Sequence, residues 1–258
     1  MRTVLAASLA ATLALTAGAQ AGDDEYAQVR RVAVVSLLSG DLHWETTGLT
    51  HFDYNIEDLR LGWNVDDHVE RSVADALRGR FTVSAKPLPH ALFDGDAYDH
   101  SLSKAALASI HALPEASGID AYIVVMPSRL PAYRTTTGIV VSHHHGAFGR
   151  ELTDLRSAFW VDIFDAHTGK RIDSGMANSP IELQQFGMAE RCDNAIWADT
   201  AAQLSPQQQS QVADAIKAVV DKSLPFALSN ATLIPESDAR AMAAKAAGEP
   251  GSTTCHPL

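Results

Sequence analysis

Ala121-Tyr122-Ile123-Val124-Val125-Met126 is the most apolar run after the amino-terminal segment, and its reading decides the fold. Both alternating faces of the run are apolar, which describes a strand covered on two sides rather than an edge strand or a surface helix. Downstream come three consecutive histidines, His143, His144 and His145, and then a bulky stretch over residues 158–172. In that stretch Phe159, Val161 and Ile163 share one face while Ala158, Trp160 and Phe164 share the other. Asp165-Ala166-His167-Thr168-Gly169 closes it as a tight hairpin, Gly169 supplying the positive φ such a turn needs, and residues 170–177 return as the partner strand. Residues 121–174 are thus expected to form the middle of a sheet.

Working outward, residues 29–38 thicken into Val32, Ala33, Val34, Val35, Leu37 and Leu38, a first buried strand. Residues 39–63 show no helical period. Their alternation around Thr46 to Gly48 predicts a hairpin or flap carrying Trp44, Phe52, Tyr54, Trp63, His43 and His51. Asn64 can cap a helix with Val65, Val69, Val73 and Leu77 on its apolar face and Gly79 as its stop. A short strand over residues 81–85 follows, then a carboxylate-rich turn (Asp94, Asp96, Asp99) without the spacing of a calcium loop. Leu102, Ala106, Ile110 and Leu113 mark a second helix, and residues 138–142 a short strand running into the histidines. Residues 179–204 have no clear period. Ser205-Pro206 opens a helix with Val212, Ile216, Val219 and Val220 buried, expected to end at Pro225. Beyond Leu228 the reading is an exposed Ala-rich helix, residues 236–247, and a tail. The fold class is α/β: one mixed sheet with helices packed on it, in a single domain spanning residues 29–228 after a flexible segment 22–28.

Residues 1–21 combine one basic residue (Arg2), an apolar centre and small residues at Ala19 and Ala21, the pattern of a secretory signal peptide. Cleavage there predicts a periplasmic or secreted protein, since no later stretch approaches the ~20 apolar residues that span a bilayer. The formal net charge of −11 and the lack of any basic run exclude nucleic acid as a natural partner, because the chain repels phosphates. In an oxidising compartment the two cysteines, Cys192 and Cys255, are expected to pair and tie the tail to the body. By loop-closure entropy such a bridge contributes about 4 kcal/mol, less any strain.

The leader, the strand at Arg31 to Leu38, the helix after a hairpin insert, the Ala121 to Met126 strand and the closing hairpin with its Asp165 to Lys170 turn resemble the small α/β domain of bacterial envelope proteins, of the TolB amino-terminal and CsgG-like type. That resemblance covers roughly residues 29–228 and rests on element order. It implies a non-enzymatic, assembly-accessory role with an envelope protein as partner. The 39–63 insert, the histidine run and the absence of a lipid-anchor cysteine depart from that family, and no functional residue carries over.

The chemistry-bearing residues are few. In an extended chain His143 and His145 point to one face and His144 to the other, so one face offers at most two imidazoles. A zinc or other transition-metal site then needs a third ligand, and His43, His51 or Asp53 of the flap are the candidates. Trp44, His51, Tyr54, His143 and His145 are the residues expected to grip a partner or small ligand. Such a centre would also admit a metal-dependent hydrolase, yet no HExxH-type motif accompanies the histidines. Ser101-Leu102-Ser103-Lys104 matches S-x-x-K without the SDN and KTG partners that give that motif meaning. The reading favours a binding protein over an enzyme, with no catalytic residue assigned and no cofactor required.

Overall fold

The computed structural model describes residues 26–40, 42–48, 54–93, 100–128, 138–146, 148, 150–177, 188–248 and 255–257. The expected leader, His51 and Asp53 of the flap, and the carboxylates at residues 94–99 lie outside the described residues.

The sheet is organised around one long strand, β7 (Glu151–Asp165), where β1 is Arg31–Ser36, β2 Leu42–Thr47, β3 Tyr54–Asp58, β4 Thr82–Val83, β5 Ala121–Pro127 and β6 Gly138–His145. Three later strands, β8 (Arg171–Met176), β9 (Met188–Cys192) and β10 (Cys255–Pro257), bring the described total to ten. The carboxy-terminal half of β7 pairs antiparallel with β5 on one side and β8 on the other. Its amino-terminal half pairs antiparallel with β6 and β9. The half-sheet around β5 continues through parallel β1 to parallel β4. The half-sheet around β6 continues through parallel β2 to antiparallel β3, and β10 closes its far edge against β9. The mixed α/β architecture is therefore as the sequence predicts, and β5 lies inside the sheet, buried at every residue.

Helices cover the two faces unequally. On one face, α1 (Val65–Ala76), α3 (Pro206–Asn230) and α4 (Glu236–Ala247) pack on Val32, Val34, Ile123, Val125, Val161 and Ile163 and their neighbours. On the other, α2 (Lys104–His111) and the loop before it cover Val35, Tyr122, Val124, Met126 and Phe164. Each fully buried Val, Leu or Phe contributes about 1.5–3 kcal/mol, so β5, buried on both faces, contributes to the two cores at once. The hairpin turn is built as its letters imply: Asp165 accepts from the Thr168 amide and hydroxyl, and Gly169 sits at φ +67°. Its carboxyl is held below the usual range: burial pushes it up, but the hydrogen bonds from Thr168 and His167 outweigh that. Asn64 caps α1 by accepting from the Asp66 and Asp67 amides. Gly175 of β8 is needed for close approach, since a Cβ there would come within 2.5 Å of the Ala231 amide nitrogen on the end of α3.

The 39–63 segment contains the antiparallel β2–β3 pair expected of a hairpin, and because β2 also pairs with β6 this hairpin extends the sheet. Two local expectations change. Helix α3 runs past Pro225 to Asn230. The chain after Leu228 still buries Ala231, Leu233, Ile234 and Ala239, so α4 is packed rather than exposed. No helix among the described residues is long and apolar enough to cross a membrane.

Candidate metal centre

Strand β6 extends through all three histidines, and the alternation of a strand separates them. His143 and His145 share the face carrying Ile139 and Val141, and His144 lies on the opposite face. Cross-strand register then supplies the third ligand: His145 is paired with Glu151 and His143 with Thr153. The ligand atoms of His143, His145 and Glu151 lie within 4.8 Å of one another. Glu151 Oε2 is 4.0 Å from His143 Nε2, and Glu151 Oε1 is 3.7 Å from His145 Nδ1. Tetrahedral ligands about 2.0–2.1 Å from zinc stand about 3.4 Å apart, so small side-chain movements close the site.

A chain of hydrogen bonds fixes the state of His143. The Asn194 side-chain amide donates to the Glu151 carbonyl at 3.0 Å, which leaves Asn194 Oδ1 to accept from the Thr153 hydroxyl at 3.0 Å. Thr153 Oγ1 is then the acceptor for His143 Nδ1, 2.8 Å away. The proton is thereby placed on Nδ1 and the lone pair on Nε2. That Nε2 is buried and has no hydrogen-bond partner among the described residues, in a residue only 1 % exposed. Burial, with the neighbouring His145 adding to it and Glu151 opposing, lowers the His143 pKa below the ordinary histidine value, which favours the neutral ring. A neutral imidazole with a buried lone pair that has no partner among the described residues has the donor state a metal ligand needs.

The wall behind it is aromatic. His143 stacks on Trp197 at 4.2 Å between ring centroids, and Trp197 stacks on Trp44 at 4.5 Å. Trp44 is fully buried, and its indole N–H donates to the Ala198 carbonyl. Thr46, the register partner of His143 on β2, also buries a hydroxyl without a partner among the described residues, as Trp197 does its indole N–H.

The structure therefore brings together His143 and His145 of the expected residues and places the others elsewhere. Trp44 supports the site from beneath and offers no surface to a ligand. His43 sits on the opposite face of β2, where its Nδ1 is 3.8 Å from Asp58 Oδ1. Tyr54 shares that opposite face with Glu45, and His51 lies outside the described residues. Ser101 and Lys104 are exposed at the start of α2, where Ser103 acts as its cap. Glu151, Thr153, Asn194 and Trp197 escape the sequence reading. A signal for Glu151 was available in the letters: two glycines, Gly146 and Gly149, in the five residues after His145 mark a turn, and the β6–β7 register pairs residue 151 with residue 145.

On the opposite face, Glu45 is 1 % exposed and its Oε2 has no hydrogen-bond partner among the described residues. Burial raises its pKa, outweighing Arg156, the Tyr54 hydrogen bond and His43. Tyr54 is pushed up to about 12, first by burial and then by Glu45. An acid whose folded pKa is raised gives stability below its unfolded value and loses it as pH rises through the folded one. Glu45→Gln should therefore raise unfolding free energy at pH 8 by roughly 1 kcal/mol and give no gain at pH 4. Urea titrations at the two pH values check this, and destabilisation at pH 8 contradicts it.

No family model matches the chain, and no curated protein matches it. Among solved structures, a hypothetical protein from Chlamydia trachomatis is similar at 10% identity and a TM-score of 0.28, over 85% of this chain and 96% of that one.

Proposed function

We propose that this chain is an exported, non-enzymatic binding protein of the bacterial envelope whose ligand is a divalent transition-metal ion of the zinc class. His143 Nε2, His145 and Glu151 would hold the ion and leave a fourth position open. The observation that carries the reading is the buried Nε2 of His143, which has no hydrogen-bond partner among the described residues, is fixed as a lone pair by Thr153 and Asn194, and lies near two further candidate ligands. Export is supported by the leader-like residues 1–21 and by the Cys192–Cys255 disulfide, a bond that persists in oxidising compartments. The element-order resemblance to TolB amino-terminal and CsgG-like domains supports a place among envelope accessory proteins.

The test is equilibrium dialysis of the tag-free mature chain against Zn²⁺, followed by elemental analysis. Wild type should retain one equivalent, His143→Ala should lose it, and His144→Ala, altered on the other face, should keep it. Equal retention by wild type and His143→Ala, or equal loss in both variants, would mark an adventitious histidine tract and overturn the proposal. Turnover of ester or phosphoester substrates by the zinc-loaded chain would move the reading to a metal-dependent hydrolase.

A further inference from the structure

The metal site is joined to the disulfide through a single short segment. Cys192 is the last residue of β9 and the register partner of Thr153 across the β7–β9 pair. Asp193 follows and caps a turn beginning at Asn194, accepting from the Ala195 amide. Asn194 is the residue that orients Thr153, and Trp197, at the end of the same turn, is the platform under His143. The far end of the segment is held by noncovalent contacts: Gln208 of α3 donates to the Ala195 and Trp197 carbonyls, Trp44 donates to the Ala198 carbonyl and stacks on Trp197, and Ile196 is buried in the core. The near end is held by the β7–β9 ladder and the buried Lys222–Glu190 pair, and it carries in addition a covalent tie, the bond from Cys192 to Cys255 of β10, a three-residue strand that pairs only with β9 among the described strands.

We infer that the Cys192–Cys255 disulfide sets the affinity of the His143, His145 and Glu151 site, so that the oxidised chain holds a divalent metal ion more tightly than the dithiol chain. The inference rests on the metal-binding reading and adds its regulation. Reduction by a dithiol moves two electrons and two protons from the reductant to the two sulfurs; the reductant leaves as its own disulfide and Cys192 and Cys255 become thiols. No metal-site atom changes in that step. What changes is the tether: three residues of ladder are too few to hold β10 on the sheet by themselves, and the edge of β9 opens. Asn194, two residues past the lost bond, keeps its noncovalent contacts but loses the covalent restraint beside it, so its hold on the Thr153 hydroxyl loosens and the lone pair on His143 Nε2 is less firmly placed. By linkage, a bound ion makes the disulfide harder to reduce by the same factor.

The experiment compares Zn²⁺ affinity, by competition with a chromophoric chelator, in the oxidised mature chain, in Cys192→Ser/Cys255→Ser, in Asn194→Ala and in the triple variant. The serine pair mimics the untethered state without adding thiol ligands. It should bind about tenfold more weakly, as should Asn194→Ala in the oxidised chain. In the triple variant the two losses should overlap rather than multiply, because they act through one route. Equal affinity in the oxidised chain and a folded serine pair overturns the inference and leaves the metal site standing. Unchanged affinity in Asn194→Ala overturns it whether or not the serine pair folds, and multiplied losses overturn the route. Absence of one-equivalent binding in the oxidised wild type removes the metal-binding reading and this inference together.

Discussion

Lys222→Met should destabilise the protein by about 3–5 kcal/mol, far more than the removal of a surface charge. Lys222 on α3 donates to Glu190 Oε1 on β9 at 2.7 Å, with Lys222 7 % and Glu190 1 % exposed. The second carboxylate oxygen of Glu190 has no partner among the described residues, so the lysine carries most of the compensation for a buried charge. Removing it strands that charge beneath the helix. Replacing both residues, as Lys222→Met with Glu190→Leu, should return stability to within about 1 kcal/mol of wild type or above it, because an apolar pair of similar volume needs no compensation. Urea unfolding followed by tryptophan fluorescence gives all three free energies. A loss under 1 kcal/mol in the single variant would show that the pair is solvated in practice. The pair also bears on the candidate metal centre, since it helps to fix β9 two residues before Cys192 and four before Asn194.

The same pair explains why part of the molecule could not be read from its letters. Met188-Ala189-Glu190-Arg191-Cys192 contains no β-branched residue, and propensity places its two charges on a surface, yet Glu190 is buried and Arg191 is tied to Asp154 at 2.6 Å. Only the lysine opposite, thirty-two positions away, makes the strand tolerable. Contacts of that range leave no local pattern. Pro225 misled in another way: a proline is a reliable stop in an isolated helix, but here Leu224, Ala227 and Leu228 are buried on both sides of it, and packing carries the helix onward. By contrast β5 and the Asp165 to Gly169 turn were legible because their causes are local, in two-sided apolarity and in one side chain bonding its own turn. The candidate metal centre falls between these cases. The split of the three histidines follows from strand geometry alone, but the third ligand required the register of β6 on β7, and the orientation of His143 required Asn194, forty-one residues beyond Thr153.

Thr153→Val should weaken zinc binding about 10–100-fold while Thr153→Ser keeps it close to wild type. Thr153 is wholly buried and touches no ion in the proposed site; it acts as a positioning residue through His143. Valine matches its shape but offers no acceptor, so the His143 Nδ1 proton loses its partner and the Nε2–H tautomer becomes competitive. That tautomer presents a proton where the ion needs a lone pair. The loss corresponds to about 1.4–2.7 kcal/mol of binding free energy, and leaving buried polar groups unpaired adds a stability cost of about 1–3 kcal/mol. Serine retains the hydroxyl, accepts from His143 and donates to Asn194, and so separates the hydrogen bond from the methyl group's packing. Nitrogen-15 shifts of His143 in the metal-free chain give a readout that a purely structural role would leave unmoved: Nδ1 protonated in wild type and Thr153→Ser, mixed or inverted in Thr153→Val. Wild-type affinity in a Thr153→Val protein with an unchanged tautomer would mean that the orphaned nitrogen is held by packing against Trp197 alone, and that the chain of hydrogen bonds from Asn194 is incidental to the site.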